Sequence, residues 1–160
     1  MFNTKSDIPA DKREQLCKLL NNRLASLIDL QLQTKQAHWN VKGPSFIALH
    51  ELFDKVAEES EDYIDTVAER VTALGGVAEG TLAVVGKRTS LKPYPLEIVT
   101  GRDHVDALSG ALAAVAKQVR SAIDEANTLG DTDTADLFTQ ISRDVDKQLW
   151  FVEAHLQSER

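Results

Sequence analysis

Cysteine, basic excess and long apolar runs are all missing from this sequence, and each absence removes a class of protein. A single cysteine, Cys17, cannot close an internal disulfide or form a CxxC pair, so a disulfide scaffold and a thiolate-rich metal site are both excluded. With only 8 glycines and 4 prolines there is no low-complexity tract, and no phosphate loop or nucleophile elbow is present. No apolar run approaches the ~20 residues that a membrane span needs. The 18 Lys and Arg against 25 Asp and Glu give a formal charge of -7, which argues against a body with a large basic face for nucleic acid. The opening residues MFNTKSD are too polar for a signal peptide, and with the lone cysteine they lead to the expectation of a cytoplasmic protein.

What the sequence does contain is apolar residues at helical spacing. Its 160 residues, 42% of them hydrophobic, suit one domain with a substantial core, read here as a short tail over residues 1–9 and a domain over 10–160. From about Ala10 to His38, Leu16, Leu20, Leu24 and Leu27 recur at helical intervals, with Pro9 at the tolerated first turn. After the Gly43-Pro44 break a second pattern runs from about Phe46 to Leu74 and stops at Gly75 and Gly76. Thr100 to Asp103 has the form of a capping box and opens a third stripe through Val105, Leu108, Leu112, Val115, Val119 and Ile123, ended by Gly130. The fourth begins at about Asp133 and carries Leu137, Ile141, Val145, Leu149, Val152 and Leu156. Short links make two antiparallel hairpins, whereas the stretch from Gly75 to Thr100 is long enough to cross a bundle, with TLAVVGKRT as a short helix and PYPLE extended. The expected fold is all-α, a ferritin-like four-helix bundle whose long crossover carries a short helix.

The stretch TKQAHWNVKGPSFIALHELFD, from Thr34 to Asp54, sets His38 and His50 on either side of that break, with Asp54 one helical turn further on. Advancing 100° per residue from His50 gathers Asp54, Glu58, Glu61, Asp65 and Glu69 into an arc of roughly 100°. Leu49, Leu52, Phe53, Val56, Tyr63, Ile64, Val67 and Val71 take the opposite side. A purely solvated face interleaves Lys or Arg with its acids, but Lys55 and Arg70 lie off this stripe. The acids repeat at i,i+4 instead, each unpaired repeat costing about 0.2–0.5 kcal/mol. A bound cation or a partner surface removes that cost. His50 and Asp65 are roughly 22 Å apart along the axis, too far for one chain to close a site. An antiparallel two-fold pairing of this helix sets His50 against Asp65 of the partner subunit and brings His38 to the level of Glu69 of the partner subunit. The construction predicts two equivalent sites per dimer, each built from His38, His50 and Asp54 of one chain with Asp65 and Glu69 of the partner subunit. Imidazole and carboxylate ligation without thiolates suits iron(II), zinc or manganese. The Glu-x-x-His pairs of sites inside ordinary ferritin-like bundles are absent.

In order along the chain, TKQAHWNVKGPSF, LHELFD, DTVAERV, LGG, PYPLE and RDVDKQLWF resemble the Dps proteins (DNA protection during starvation), the mini-ferritins of bacteria, from about Lys12 to Leu156. The resemblance implies a hollow homo-dodecamer that oxidises iron(II), preferentially with hydrogen peroxide, stores the ferric mineral and so protects DNA. It places the ferroxidase ligands on His38, His50 and Asp54, with Asp65 and Glu69 of the partner subunit, the set reached from helix geometry. Trp39 matches the tryptophan kept beside this site, either as an electron donor or as a core aromatic. Asp131, Asp133 and Asp136 match acids gathered around three-fold pores that admit iron, with helix capping by Asp133 as the other reading. Many members bind DNA through a lysine-rich N-terminal extension, which is reduced here to MFNTKSDIPADKR. Lys5, Lys12 and Arg13 are the candidate DNA contacts, offset by Asp7 and Asp11, so weak, avidity-dependent binding is expected, with Lys87, Arg88 and Lys92 of the crossover next in line. Nucleoid association would follow from such binding. Trp150 is read as packing, Cys17 as a small core residue, and His104 and His155 as surface or structural. Three functions compete: an iron-storing ferroxidase, a nucleoid-binding structural protein with secondary iron chemistry, and a bundle whose stripe only mediates assembly.

Overall fold

Five helices account for most of the chain in the computed structural model, which describes residues 1–157. They are α1 (Ala10–Asn40), α2 (Phe46–Ala73), α3 (Leu82–Arg88), α4 (Gly101–Leu129) and α5 (Thr132–Glu153). The long helices pair as α1 with α2 and α4 with α5, α1 packing also on α4 and α2 on α5, while α3 lies in the crossover against α1. Among the described residues there is no strand, only one isolated parallel bridge between Lys42 and Thr100. The expected all-α bundle with a helical crossover is what forms. No described helix is long and apolar enough to cross a membrane.

Each boundary has a local cause. Two amides, Lys12 N and Arg13 N, donate to Pro9 O at the start of α1. At the end of α2, Gly75 takes φ +84 and Gly76 N donates to Val71 O at 2.9 Å, a left-handed closure that needs glycine. A Cβ on Gly76 would lie 2.6 Å from Cys17 Sγ, so α1 and α2 approach closely because this residue has none. Thr100 Oγ1 accepts from Asp103 N and donates to Asp103 Oδ2 at 2.7 Å, closing the capping box. Leu16, Leu20, Leu24, Leu27, Phe53, Leu108, Leu112 and Phe138 are fully buried, each worth about 1.5–3 kcal/mol relative to exposure.

Polar residues of α1 hold the crossover. Asn21 Nδ2 donates to Val77 O at 3.0 Å, its Oδ1 accepts from Glu79 N at 2.9 Å, Gln33 Nε2 donates to Lys92 O at 3.0 Å, and Asp29 Oδ2 accepts from Thr89 Oγ1 at 2.6 Å. His104 is structural, as expected: it is buried and pairs with Tyr94 of the extended PYPLE stretch at 2.7 Å.

Several readings need correction. Helix α5 starts at Thr132, and its N-cap is Asp131 rather than Asp133. Trp150 does not pack in the core: it is 60% exposed, with the ring of the neighbouring Phe151 at 4.9 Å. Trp39 is 65% exposed, so the core-aromatic alternative does not hold for the single chain. Arg13 is buried, its guanidinium donating to Ile8 O at 3.1 Å and Leu74 O at 2.9 Å, and it therefore belongs to the fold rather than to a DNA-facing tail. The tail itself is tied down where Phe2 N donates to Gly75 O at 2.7 Å.

Candidate metal centre

The α1–α2 link fixes two imidazoles with unusual economy. His38 comes from the last turn of α1 and His50 from the start of α2. His38 Nδ1 lies 2.8 Å from His50 O, and His50 Nδ1 lies 2.9 Å from His38 O. A carbonyl oxygen only accepts, so each Nδ1 carries a proton, and in the neutral ring each Nε2 presents its lone pair. The rings stack with centroids 3.8 Å apart and planes inclined 22°, and Phe46 leans on His50 at 5.1 Å. Tautomer and ring orientation are thus set before any ligand arrives, the usual outer-shell arrangement for metal-binding histidines.

Asp54 completes this half of the site. Its Oδ1 lies 3.8 Å from His38 Nε2 and 2.6 Å from Lys35 Nζ, the latter on α1. The Lys35 hydrogen bond holds the Asp54 carboxyl below its ordinary range, partial burial opposing this and the charges of His38, Lys35 and His50 adding to it. Lys35 escaped the sequence reading. Its signal was a cation one helical turn before His38, on the facing helix and so invisible to a wheel drawn for α2 alone.

Asp65 and Glu69 lie further along α2, both exposed, as are Glu58 and Glu61. Among the described residues none of these four carboxylates has an ion-pair partner, whereas Asp54 is held by Lys35. No group of three or more His, Cys, Asp or Glu side chains among the described residues is placed to hold an ion within one chain. The chain therefore sets His38 beside His50 and within 3.8 Å of Asp54, short of a three-ligand site within one chain, and leaves Asp65 and Glu69 exposed on the same helix.

The acids of the α4–α5 turn separate into two kinds. Asp131 is buried and caps α5 by accepting from Thr134 N, while Arg70 Nη2 donates to both its oxygens at 2.8 Å. Burial works against its ionisation, but the hydrogen bonds from Arg70 and Thr134 outweigh that and hold its pKa below the ordinary value. Asp133, 86% exposed, and Asp136 point to solvent. Asp133 and Asp136 remain available to a pore, and Asp131 is committed to the fold. Lys5 is exposed and Lys12 half-buried.

Known proteins resemble this chain across nearly its whole length. A family model described as a ferritin-like domain matches residues 17–160. The DNA protection during starvation protein of Agrobacterium fabrum is 51% identical over 154 residues, covering 96% of this chain and 95% of that protein. Among solved structures, Mycobacterium smegmatis Dps in a tetragonal crystal form superposes with a TM-score of 0.93 at 34% identity, covering 98% of this chain and 95% of the other. DpsA14 from Streptomyces coelicolor gives 0.92 at 38% identity, with 98% and 92% covered.

Proposed function

The chain belongs to the Dps family of ferritin-like proteins, and from that premise we propose that it oxidises iron(II) at sites shared between two-fold-related subunits and stores the ferric product inside a closed homo-dodecamer. The observation that carries the proposal is the reciprocal Nδ1-to-carbonyl pairing of His38 and His50, which leaves both Nε2 atoms for other ligands, that of His38 3.8 Å from Asp54, on a helix whose Glu58, Glu61, Asp65 and Glu69 have no ion-pair partner among the described residues. Iron(II) is the substrate. His38, His50 and Asp54 would bind it from one chain, and Asp65 and Glu69 of the partner subunit would supply the further oxygen ligands. Five nitrogen and oxygen donors, two of them neutral imidazoles, suit a divalent first-row ion such as iron(II).

Hydrogen peroxide is the oxidant that this reading favours. Its reduction to water takes two electrons and two protons, so two iron(II) ions are consumed per peroxide and no one-electron hydroxyl radical need escape. Protection of DNA follows from that removal alone. Trp39, exposed and next in sequence to His38, is the residue we assign as electron donor when only one iron(II) is bound. Exposed Asp133 and Asp136 are the candidates to draw cations toward the shell.

A nucleoid-binding structural role is the weaker reading. With Arg13 buried and Phe2 tied to Gly75, each tail offers Lys5, Lys12 and the terminal amine against Asp7 and Asp11. Weak, salt-sensitive contact through many tails is what such a surface supports.

The test is anaerobic loading of purified protein with iron(II), followed by peroxide or oxygen, with ferric absorbance and particle size recorded. Rapid peroxide-dependent oxidation with soluble iron co-eluting at the size of a closed shell is expected. Oxidation no faster than in buffer would sink the ferroxidase reading, and a monomer at micromolar concentration would sink the shared site.

A further inference from the structure

The crossover between α3 and α4 carries a feature that iron chemistry does not use. From Thr89 to Val99 the chain forms neither helix nor strand. Near its start it is held to α1 by Asp29 and Gln33 and to α4 by Gln118 Nε2, which donates to Ser90 Oγ at 3.1 Å; further on, Tyr94 OH meets His104 Nδ1 of α4 at 2.7 Å. The two rings lie nearly parallel, inclined 19°. Under this stretch is a cavity of about 650 Å³ walled by Lys92, Tyr94, Pro95, Asp103, Asp106 and Ala107. His104 is 1% exposed, and its Nε2 is buried without a hydrogen-bond partner.

We propose that the Tyr94–His104 contact is an acid-released latch: protonation of the buried His104 ring frees the crossover around Tyr94 from α4 and opens the cavity beneath it. With Tyr94 OH donating to Nδ1, the neutral ring carries its proton on Nε2, which has no partner among the described residues. A second proton goes to Nδ1 and makes both ring nitrogens donors, so Tyr94 must turn from donor to acceptor, and its own O–H loses the ring nitrogen that accepted it. Tyr94 cannot answer by losing its own proton, because burial pushes the phenol far above its ordinary value. The carboxylate acting on the ring is Asp103, from the same helix, and Thr100 Oγ1 already donates to it at 2.7 Å. Lys92 and Asp106 line the cavity but make no contact with the ring among the described residues. The imidazolium is therefore a buried charge without a bonded counter-ion, the arrangement that low-dielectric surroundings penalise most.

The direction of the pH effect follows. Burial pushes the His104 pKa below its ordinary value of 6.5, with Asp103 opposing. When the segment lifts, the ring returns to water and its ordinary value, so the open form binds more protons. Closure is complete above the ordinary value and is lost as pH falls below it, by up to about tenfold in the opening equilibrium per pH unit until the depressed value is reached.

Hydroxyl-radical footprinting of the intact, iron-free assembly between about pH 7.5 and pH 5, read by mass spectrometry and dose-corrected, tests this around the ordinary imidazole pKa. Labelling of Tyr94 and of the buried Leu91 should rise several-fold on acidification in the unmodified protein. It should stay flat in His104→Gln, whose amide can meet Tyr94 at every pH but does not titrate. In Tyr94→Phe, Leu91 should already label faster at neutral pH. A flat profile in the unmodified protein, or an equal acid-dependent rise in His104→Gln, overturns the latch. So does a matching rise at Tyr63 on α2, which would mark general loosening.

Discussion

If each oxidation site takes His50 from one subunit and Asp65 from its two-fold partner, two inactive variants must partly restore one another. His50→Ala leaves every site of a uniform shell without an imidazole, and Asp65→Ala leaves every site without a carboxylate, so each alone should lose most peroxide-driven oxidation. In a shell co-assembled from equal amounts, random pairing makes about half of the two-fold dimers mixed. A mixed dimer has one site with both residues missing and one with both intact, so about one quarter of all sites should be live. Co-assembly of the double variant with the unmodified chain is the control. Shared sites again leave about one quarter live, because only dimers of two unmodified chains count, whereas sites within one chain leave about one half. The assay is co-expression with two affinity tags, purification through both, confirmation of the ratio by intact mass, and initial rates of ferric absorbance after peroxide addition. Zero recovery in the first mixture together with one half in the second would refute the sharing, however well each single variant behaves.

Three further outcomes follow from the geometry. Lys35→Met removes the cation that is 2.6 Å from Asp54 and must give way when a divalent ion binds. Divalent cobalt, titrated anaerobically as a probe, should bind several-fold more tightly, consistent with an interaction of about 1 kcal/mol for a partly exposed pair, and unchanged or weaker binding would contradict Lys35 as a competitor. Asp131→Ala deletes a cap and the two hydrogen bonds that Arg70 makes to it, leaving the guanidinium with exposed Asp133 at 4.0 Å as its carboxylate, which should cost about 2–4 kcal/mol, read as a lowered unfolding midpoint. Because the folded pKa of Asp131 is depressed, this contribution is present above the unfolded value and fades as pH falls through the folded one; the gap between variant and parent should therefore narrow in acid. Deleting residues 1–6, which spares the Ile8 and Pro9 carbonyls that hold Arg13 and the first turn of α1, should lower any DNA retention at low salt while iron oxidation continues; tight binding that survives the deletion at physiological salt would move attention to Lys87, Arg88 and Lys92.

The helices were legible because each has its apolar residues on one face and a local stop signal. Leu16, Leu20, Leu24 and Leu27 needed no knowledge of the rest of the chain to be placed inward, and Thr100 with Asp103 is a capping box within one turn. What escaped were contacts between residues far apart in sequence. Arg13 reads as a basic tail residue until Leu74 O is seen beside it, an acceptor that becomes available only because α2 ends at a left-handed glycine. Asn21, Asp29 and Gln33 look like a polar stripe on α1 but face the crossover, whose path no periodicity describes. Trp150 is large and apolar, yet a helix in a closed assembly can present such a residue outward, and a single sequence carries no label separating an inter-chain face from a core.

The candidate site divides along the same line. His38, His50 and Asp54 could be proposed together from spacing because the link between α1 and α2 is too short to put them anywhere but at one end of the hairpin. Their tautomers were not legible, since they depend on two backbone carbonyls whose positions only the folded hairpin defines. Asp65 and Glu69 could be proposed only by supposing symmetry, and what motivates that supposition in the single chain is the exposed row of Glu58, Glu61, Asp65 and Glu69, which has no ion-pair partner among the described residues. Repulsion along such a row is tolerable in an isolated subunit and becomes favourable once cations and a second copy arrive. Assembly and iron binding should therefore be linked, each raising the affinity of the other by the same factor. Sedimentation of the iron-free protein at decreasing concentration, repeated with bound cobalt, measures that factor from the dimer side. Identical dissociation with and without the metal would show that the five ligands do not bridge two chains.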